Sequence, residues 1–360
     1  VVVTPLTGPL GAYGRAGAQA LTLWAAGTLP GTTPVALRVH DLVADPAGVS
    51  VALAGRPDIV LGPYGSGPAR QFAAACEQLW WNHGGAASAP GPAPRIDVLG
   101  SAGGYLDGAI TVLSQALPGP RSALFVHGAS GFGRTVAAGG ALRAGATGWT
   151  VRLLEVPDPG AVPPLPAAEV LLVAADFATE QAIAARVLAE RPGEDGWALH
   201  SPWRAAVFVA AGVAEALEQF GARREGLLGP AQWLAAAAPA RPDLGPDAAT
   251  FGAAYRQHTG TAAAYPAAQA FAAGLLAAAC VQRAGTTDEH AVLAAARGLD
   301  ATTLFGRFRL DPTTGAQTGH RMVTVQWQDG QRVPVFPPGP GCVPVRARTN
   351  PRAAGPPGGS

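Results

Sequence analysis

Gly128-Ala129-Ser130-Gly131-Phe132-Gly133 comes nearest to a cofactor motif, because it follows an apolar strand, opens a helix and has Glu155 near the end of the next strand. That context imitates a dinucleotide site, where glycines let the backbone approach a pyrophosphate. The spacing is G-x-x-G-x-G, however, and Arg134, Thr135 and Val136 follow, so the third fingerprint glycine is missing. A helix-entry turn accounts for the same residues. Ser66 and Ser130 both sit in small-residue turns, but neither lies in a G-x-S-x-G elbow, and no His or Asp can be assigned to support either one. The acidic pairs Glu194-Asp195 and Asp288-Glu289 read as solvated faces. No catalytic set emerges.

Anion binding is the chemistry that the stretch from Ile59 to Ala87 supports. Ile59-Val60-Leu61 reads as a buried strand that stops at Gly62-Pro63, and Tyr64 leads into Gly65-Ser66-Gly67, which opens a helix with Pro68 in its first turn. A helix N-terminus offers unpaired N–H groups and partial positive charge, and the Ser66 hydroxyl adds a donor. A second apolar segment, Leu79-Trp80-Trp81, runs into Asn82-His83-Gly84-Gly85-Ala86, a further source of small-residue N–H groups. Two such turns could face one small ligand. Tyr13, Tyr64, Trp80, Trp81, Phe132 and Phe177 fall at or near strand-to-helix junctions, where they could line a cleft.

The elements that must position these turns follow a β/α rhythm. Strands over Val1–Leu6, Val35–Val39 and Ile59–Leu61 alternate with helices over 12–26 and 45–54, which predicts a parallel sheet with helices on its faces. A Pro-rich loop over 88–95 precedes a short strand at Ile96-Asp97-Val98 and a helix over 105–116. After Leu117-Pro118-Gly119-Pro120 the pattern restarts, with strands over 122–126, 150–156 and 170–174 and helices over 131–144 and 177–189. Strands at 207–211 and 226–228 complete that second sheet. Helices follow over 247–258, 266–284 and 288–297, then a strand or hairpin arm over 304–310 and a two-stranded unit over 322–327 and 332–336.

Composition narrows the function further. The chain has 360 residues, 48% of them hydrophobic, enough for two lobes with cores of their own. Its 25 basic and 24 acidic residues nearly cancel, so it has no electrostatic footprint for nucleic acid or an anionic membrane. All 25 basic residues are arginine, which removes Schiff-base and P-loop lysine chemistry. Cys76, Cys280 and Cys342 lie far apart, and the histidines are isolated, so no metal site is expected. No cofactor is expected either. No uninterrupted apolar run reaches the roughly 18 residues of a membrane span. The chain begins at Val1-Val2-Val3, inside the first strand, and a leader removed from the encoded protein is expected.

With these residues in place, the sequence resembles the type I periplasmic binding proteins, specifically the leucine/isoleucine/valine-binding group of ABC-importer receptors. The resemblance rests on Pro5-Leu6-Thr7-Gly8-Pro9 with Tyr13-Gly14, Leu61 to Ser66, Phe132-Gly133, Glu225 to Gly229, Tyr265 to Ala273, Phe305 to Phe308 and Val325 to Gly330. It implies an α/β protein of two flavodoxin-like, Rossmann-like parallel-sheet lobes, joined by a three-crossover hinge and closing on a ligand in the cleft between them. The expected division is 1–118 plus 234–318 for the first lobe, 119–233 plus 319–337 for the second, and a disordered Pro/Gly-rich tail over 338–360. By resemblance Ser66, Gly84 and Ala86 hold a ligand carboxylate, and Tyr13, Phe132 and Phe177 wall the pocket. The acid that relatives offer to a ligand ammonium would fall near Ala211-Gly212-Val213, where there is none, with Glu215 and Asp176 nearby. The full expected ligand set is Tyr13, Tyr64, Gly65, Ser66, Trp81, His83, Gly84, Gly85, Ala86, Phe132, Asp176 and Phe177. The expected role is a non-enzymatic, extracytoplasmic receptor, monomeric, taking an amino acid or related carboxylate to ABC permease subunits. A sensor domain of the same fold and an NAD-type enzyme are the alternatives.

Overall fold

The structure, a computed structural model, describes residues 1–87, 91–119, 121–191, 197–200, 202–339 and 341–347. The expected 88–95 loop, the boundary at 117–120, the Glu194-Asp195 pair and the 338–360 tail lie partly or wholly outside these residues. In chain order the elements begin with β1 (Val2–Thr4), α1 (Gly11–Ala25), β2 (Val39–Asp41), α2 (Pro46–Ala54), β3 (Val60–Tyr64), α3 (Ser66–Ala75), β4 (Trp80–Gly84) and β5 (Arg95–Asp97). Next come α4 (Asp107–Ala116), β6 (Ser122–His127), α5 (Gly131–Ala146), β7 (Thr150–Glu155), β8 (Val170–Ala174), α6 (Phe177–Val187), β9 (Ala205–Phe208) and β10 (Leu228–Ala231). The chain continues with α7 (Ala248–Thr259), α8 (Tyr265–Ala284), α9 (Glu289–Arg297), β11 (Asp300–Thr303), β12 (Gly306–Arg309), β13 (Val323–Gln328) and β14 (Gln331–Phe336).

Internal contacts divide the chain into two units, Val1–Ala102 with Gln232–Met322, and Gly103–Ala231 with the residues from Val323 onward. The first crossing lies at 102/103, not at 118, because α4 packs on α5, β10, β13 and β14 of the second unit. Its buried Ala109, Ile110, Val112 and Leu113 require that neighbourhood, and Gly108 lets Thr324 approach to where a Cβ would stand 2.2 Å from Oγ1.

In the first unit the strand order is β2-β1-β3-β4-β5, all parallel. Strands buried on both faces need unbroken apolar runs, which Val1 to Val3 and Val60-Leu61 supply. One core cluster gathers Val2, Leu61, Trp81, Trp24 and Phe271, and the other gathers Val1, Val3, Val60, Phe72 and Trp80. α8 is buried continuously from Pro266 to Ala277, as befits a helix that is apolar all round. It lies close to α1 because the contact is made of small residues: a Cβ on Gly274 would meet the Trp24 ring at 2.6 Å. β2 is only three residues long, Val39–Asp41, and the expected strand from Val35 is absent; Val35 and Ala36 are exposed and have no core to face.

The second unit's sheet runs β14-β13-β10-β9-β8-β6-β7, parallel from β10 to β7 and antiparallel through β13 and β14. β6 and β8 are apolar and buried, whereas edge strand β7 exposes most of its residues. β9 ends at Phe208 and a 3-10 turn, Ala210–Gly212, takes the place of the expected strand end. The disorder expected from residue 338 does not extend through 343–346. Gln326 is fully buried on β13, and the Arg346 backbone satisfies it: the Arg346 N–H donates to its Oε1 at 2.8 Å, and its Nε2 donates to the Arg346 carbonyl at 2.7 Å. The Arg346 guanidinium also pairs with Asp329 at 2.9 Å.

Candidate functional site

The strand-end face of the first unit is built where β3 and β4 hand over to their turns. Gly65 caps α3 with φ +95°, a left-handed backbone that a side chain would strain, and a Cβ there would meet Leu10 Cδ1 at 2.6 Å. Gly84 faces a tighter limit, since its Cβ would stand 2.5 Å from the Tyr64 Cα. This closeness stitches the two turns together. The Gly65 N–H donates to the Gly84 carbonyl at 3.0 Å, and the Ala87 N–H donates to Ser66 Oγ at 3.1 Å. The Ser66 hydroxyl accepts in that bond, so its proton remains to donate outward. α3 has no side-chain cap, which leaves the first N–H groups of the helix, Ser66 and Gly67, as donors.

Asn82 shapes the second turn. Fully buried, it accepts from the Gly85 N–H at 2.8 Å and donates from Nδ2 to the Gly85 carbonyl at 2.9 Å and to Asp97 at 2.6 Å. Three half-buried tyrosines share this face. Tyr13 stacks on Tyr64 with centroids 5.2 Å apart, and Tyr265, at the start of α8, reaches Tyr64 hydroxyl to hydroxyl. Asn82 and Tyr265 were not among the expected site residues. The sequence signal for Tyr265 was its place before Pro266 at a helix start; Asn82 gave no signal beyond lying in a small-residue run.

Two expected site residues belong elsewhere. Trp81 sits mid-strand opposite Leu61, 2% exposed, with its ring 6.3 Å from Phe308 in the core. His83 continues β4 instead of entering the turn and is 1% exposed, because alternation along the strand points it beneath the face that Gly84 reaches. Burial pushes its pKa down to about 4, and neither ring nitrogen has a partner among the described residues. It is a neutral core imidazole.

The second unit ends its strands differently. Ser130 accepts from the Gly133 N–H at 3.0 Å and so caps α5 itself, which occupies the donor a dinucleotide phosphate would need. Phe132 is half-buried and packs edge-on against Tyr105, centroids 5.3 Å apart. Asp176 caps α6, taking the Thr179 N–H on Oδ1 at 3.0 Å and the Thr179 hydroxyl on Oδ2 at 2.9 Å. Phe177, the first helical residue, is half-buried. Glu180 lies wholly buried beneath this turn, and burial pushes its pKa up to about 8. Glu215 is exposed and acts electrostatically on Arg332. All three cysteines are free thiols.

A family model described as a periplasmic binding protein matches residues 204–332. No curated protein matches the chain. Among solved structures it is similar to the leucine-binding protein LivK of Thermotoga maritima, at 15% identity and a TM-score of 0.68, over 92% of this chain and 95% of that one. A solute-binding protein of an ABC transporter from Rhodopseudomonas palustris, in complex with p-hydroxybenzoic acid, gives 14% identity and a TM-score of 0.71 over 92% and 94%. An ABC transporter substrate-binding protein from Sphaerobacter thermophilus gives 18% and 0.71 over 95% and 97%.

Proposed function

We propose, from the type I periplasmic-binding-protein fold that the chain possesses, that it is a non-enzymatic extracytoplasmic receptor delivering a small carboxylate ligand to an ABC permease. The observation that carries this is the stitched pair of turns: the uncapped α3 donors and the remaining proton of Ser66 lie beside three tyrosines, on a turn that the Gly84–Ala87 segment holds in place through its own bonds to Asn82 and Ser66. Donors in that number suit a carboxylate, and the rings suit an apolar or aromatic body. On the second unit, Phe132 and Phe177 are the proposed aromatic contacts.

The ligand class follows from charge. An ammonium removed from water needs a carboxylate partner, and an unpaired one costs several kcal/mol, roughly. Asp176 is exposed and engaged as the cap of α6 by Thr179, and Glu215 is exposed near Arg332, so neither is a desolvated partner held ready for an ammonium. A carboxylate without an amine is therefore the favoured ligand, and a branched-chain or aromatic amino acid is the competitor. Calorimetry with matched pairs, leucine against 4-methylpentanoate and phenylalanine against 3-phenylpropanoate, with p-hydroxybenzoate added, tests this. The deaminated member should win each pair; amino acids winning would restore an ammonium anchor. Ser66→Ala should weaken the best ligand by about 1–3 kcal/mol, the worth of a hydrogen bond to a charged group. Unchanged affinity would remove the seat.

A further inference from the structure

Glu180 is the one fully buried acidic side chain among the described residues, and the ligand reading above makes no use of it. It stands in the first turn of α6, where its Oε1 accepts from the Ala175 N–H at 3.0 Å and its Oε2 from the Ala210 N–H at 2.7 Å. These two donors belong to different connections. Ala175 is the first residue past β8, and Ala210 opens the 3-10 turn after β9, two residues past the strand. The β8–β9 ladder ends at Val173 opposite Phe208, and its last main-chain bond runs from the Val209 N–H to the Val173 carbonyl at 3.1 Å, short of Ala175 and Ala210. The Glu180 carboxyl group spans from one connection to the other beyond that bond.

We propose that Glu180 is a positioning residue that fixes the Asp176-Phe177 turn relative to the Ala210–Gly212 turn, so that the second unit presents one preset strand-end surface to a ligand. The role rests on the receptor reading for its consequence and on geometry for its existence. A side chain kept only for packing would be better served by leucine, since a buried carboxyl is costly to desolvate and returns that cost only through the bonds it makes. Both oxygens are spent on main-chain donors at separate strand ends. Neighbouring elements offer no competing ionic partner: β8, β9 and Ala210–Gly212 carry no ionisable side chain, and Asp176 acts on Glu180 electrostatically only by disfavouring its ionised form.

Hydrogen exchange by mass spectrometry on the full chain tests the coupling directly, with Glu180→Leu, which fills the space and accepts nothing, and Glu180→Gln, which keeps one acceptor oxygen. In Glu180→Leu the peptides covering 175–179 and 210–213 should both exchange at least tenfold faster, while those of β6 and β8 stay at the wild-type rate. In Glu180→Gln one of the two turns should recover its protection. Loosening of only one turn in Glu180→Leu, or of the whole unit equally, overturns the coupling. The consequence is read by calorimetry with p-hydroxybenzoate and leucine: the better wild-type ligand should bind at least tenfold more weakly to Glu180→Leu, with part of the loss restored in Glu180→Gln. Loosened turns with unchanged affinity overturn the positioning role. Should the wild type bind no carboxylate at all, the receptor reading fails and the exchange experiment still decides whether Glu180 couples the turns.

Discussion

The helices that follow β1 and β3 in the first unit and those that follow β6 and β8 in the second start differently. In the first, α1 and α3 follow the central strands β1 and β3 with no side-chain cap, and α8 begins uncapped as well. Asp45, Asp247 and Asp288 of the same unit cap α2, α7 and α9, away from those strand ends. In the second, Ser130 caps α5 and Asp176 caps α6. A capped helix has given one of its leading donors to its own cap, Gly133 in α5 and Thr179 in α6; an uncapped one holds that donor for something else or for water. Donors left open after β3 and closed after β6 and β8 are what the proposed anion seat in the first unit and the proposed aromatic contacts in the second rest on. Among imidazoles and carboxyls, the groups that burial shifts furthest differ in kind. The first unit buries His83 and His320, both pushed toward the neutral imidazole, while the second buries the carboxyl of Glu180 together with His127.

That division predicts opposite responses to pH, the largest effect expected. His83 and His320 are both lowered by burial to about 4 from an ordinary 6.5, so the unfolded chain binds protons that the folded first unit refuses. Their contribution is intact above about pH 6.5 and is lost as pH falls through that window toward 4, by roughly 3 kcal/mol for each group at 1.36 kcal/mol per pKa unit. Glu180 is raised to about 8 from 4.5, so its contribution is complete below 4.5 and is lost as pH rises through 8. Exchange measured unit by unit should show the first unit opening on the acid side and the second on the alkaline side. His83→Leu and His320→Gln should each flatten the acid limb; a limb that survives both would sink the comparison.

A smaller effect separates the turns by their steric demands. Gly84→Ala places a methyl 2.5 Å from the Tyr64 Cα and 2.8 Å from the Pro63 carbonyl oxygen, both backbone, so β3 and β4 must move apart at their ends. Overpacking of this kind costs about 1–3 kcal/mol, and parting the turns also breaks the Gly65 to Gly84 bond. Denaturation should register that loss, and carboxylate affinity should fall with it. An equal change at exposed Gly145, which meets nothing within 4 Å, serves as the control and should cost a few tenths or stabilise.

Much of this was readable from periodicity. Apolar runs such as Val1 to Val3 and Val170 to Val173 announce strands buried on both faces, and Gly65-Ser66-Gly67 after such a run announces a helix entry with open donors. What escaped depends on information that one-dimensional spacing does not carry. Trp81 and Trp80 look alike in sequence, and each falls into a different core because alternation sends them to opposite faces of one strand. His83 looks like the first residue of a glycine-rich turn because nothing before it signals that β4 runs on to Gly84. Glu180 reads as an acid suited to any first helical turn, and only the proximity of β8 to β9 turns it inward. Tyr265, some two hundred residues from Tyr64 in sequence, joins the site through the packing of α8 on the sheet. The crossing at 102/103 was hidden for a related reason, since the amphipathic pattern of α4 states that it has a buried face and not which sheet it faces.

The smallest predicted effect makes the sharpest distinction between the units. Ser130→Ala removes the hydroxyl that accepts from the Gly133 N–H, and losing such a cap costs about 1 kcal/mol of stability. Ser66 stands at the corresponding β-to-α turn of the first unit, yet it is the first residue of an uncapped helix and its oxygen is turned to Ala87. If the α5 entry is closed by its own cap and the α3 entry is open, the two substitutions should dissociate. Ser130→Ala should shift the denaturation midpoint and leave carboxylate affinity within twofold of wild type. Ser66→Ala should do the reverse, with the larger loss in affinity. Equal losses of affinity in both variants would mean that the α5 entry also faces the ligand, and the contrast between open and closed helix starts would then have no functional content.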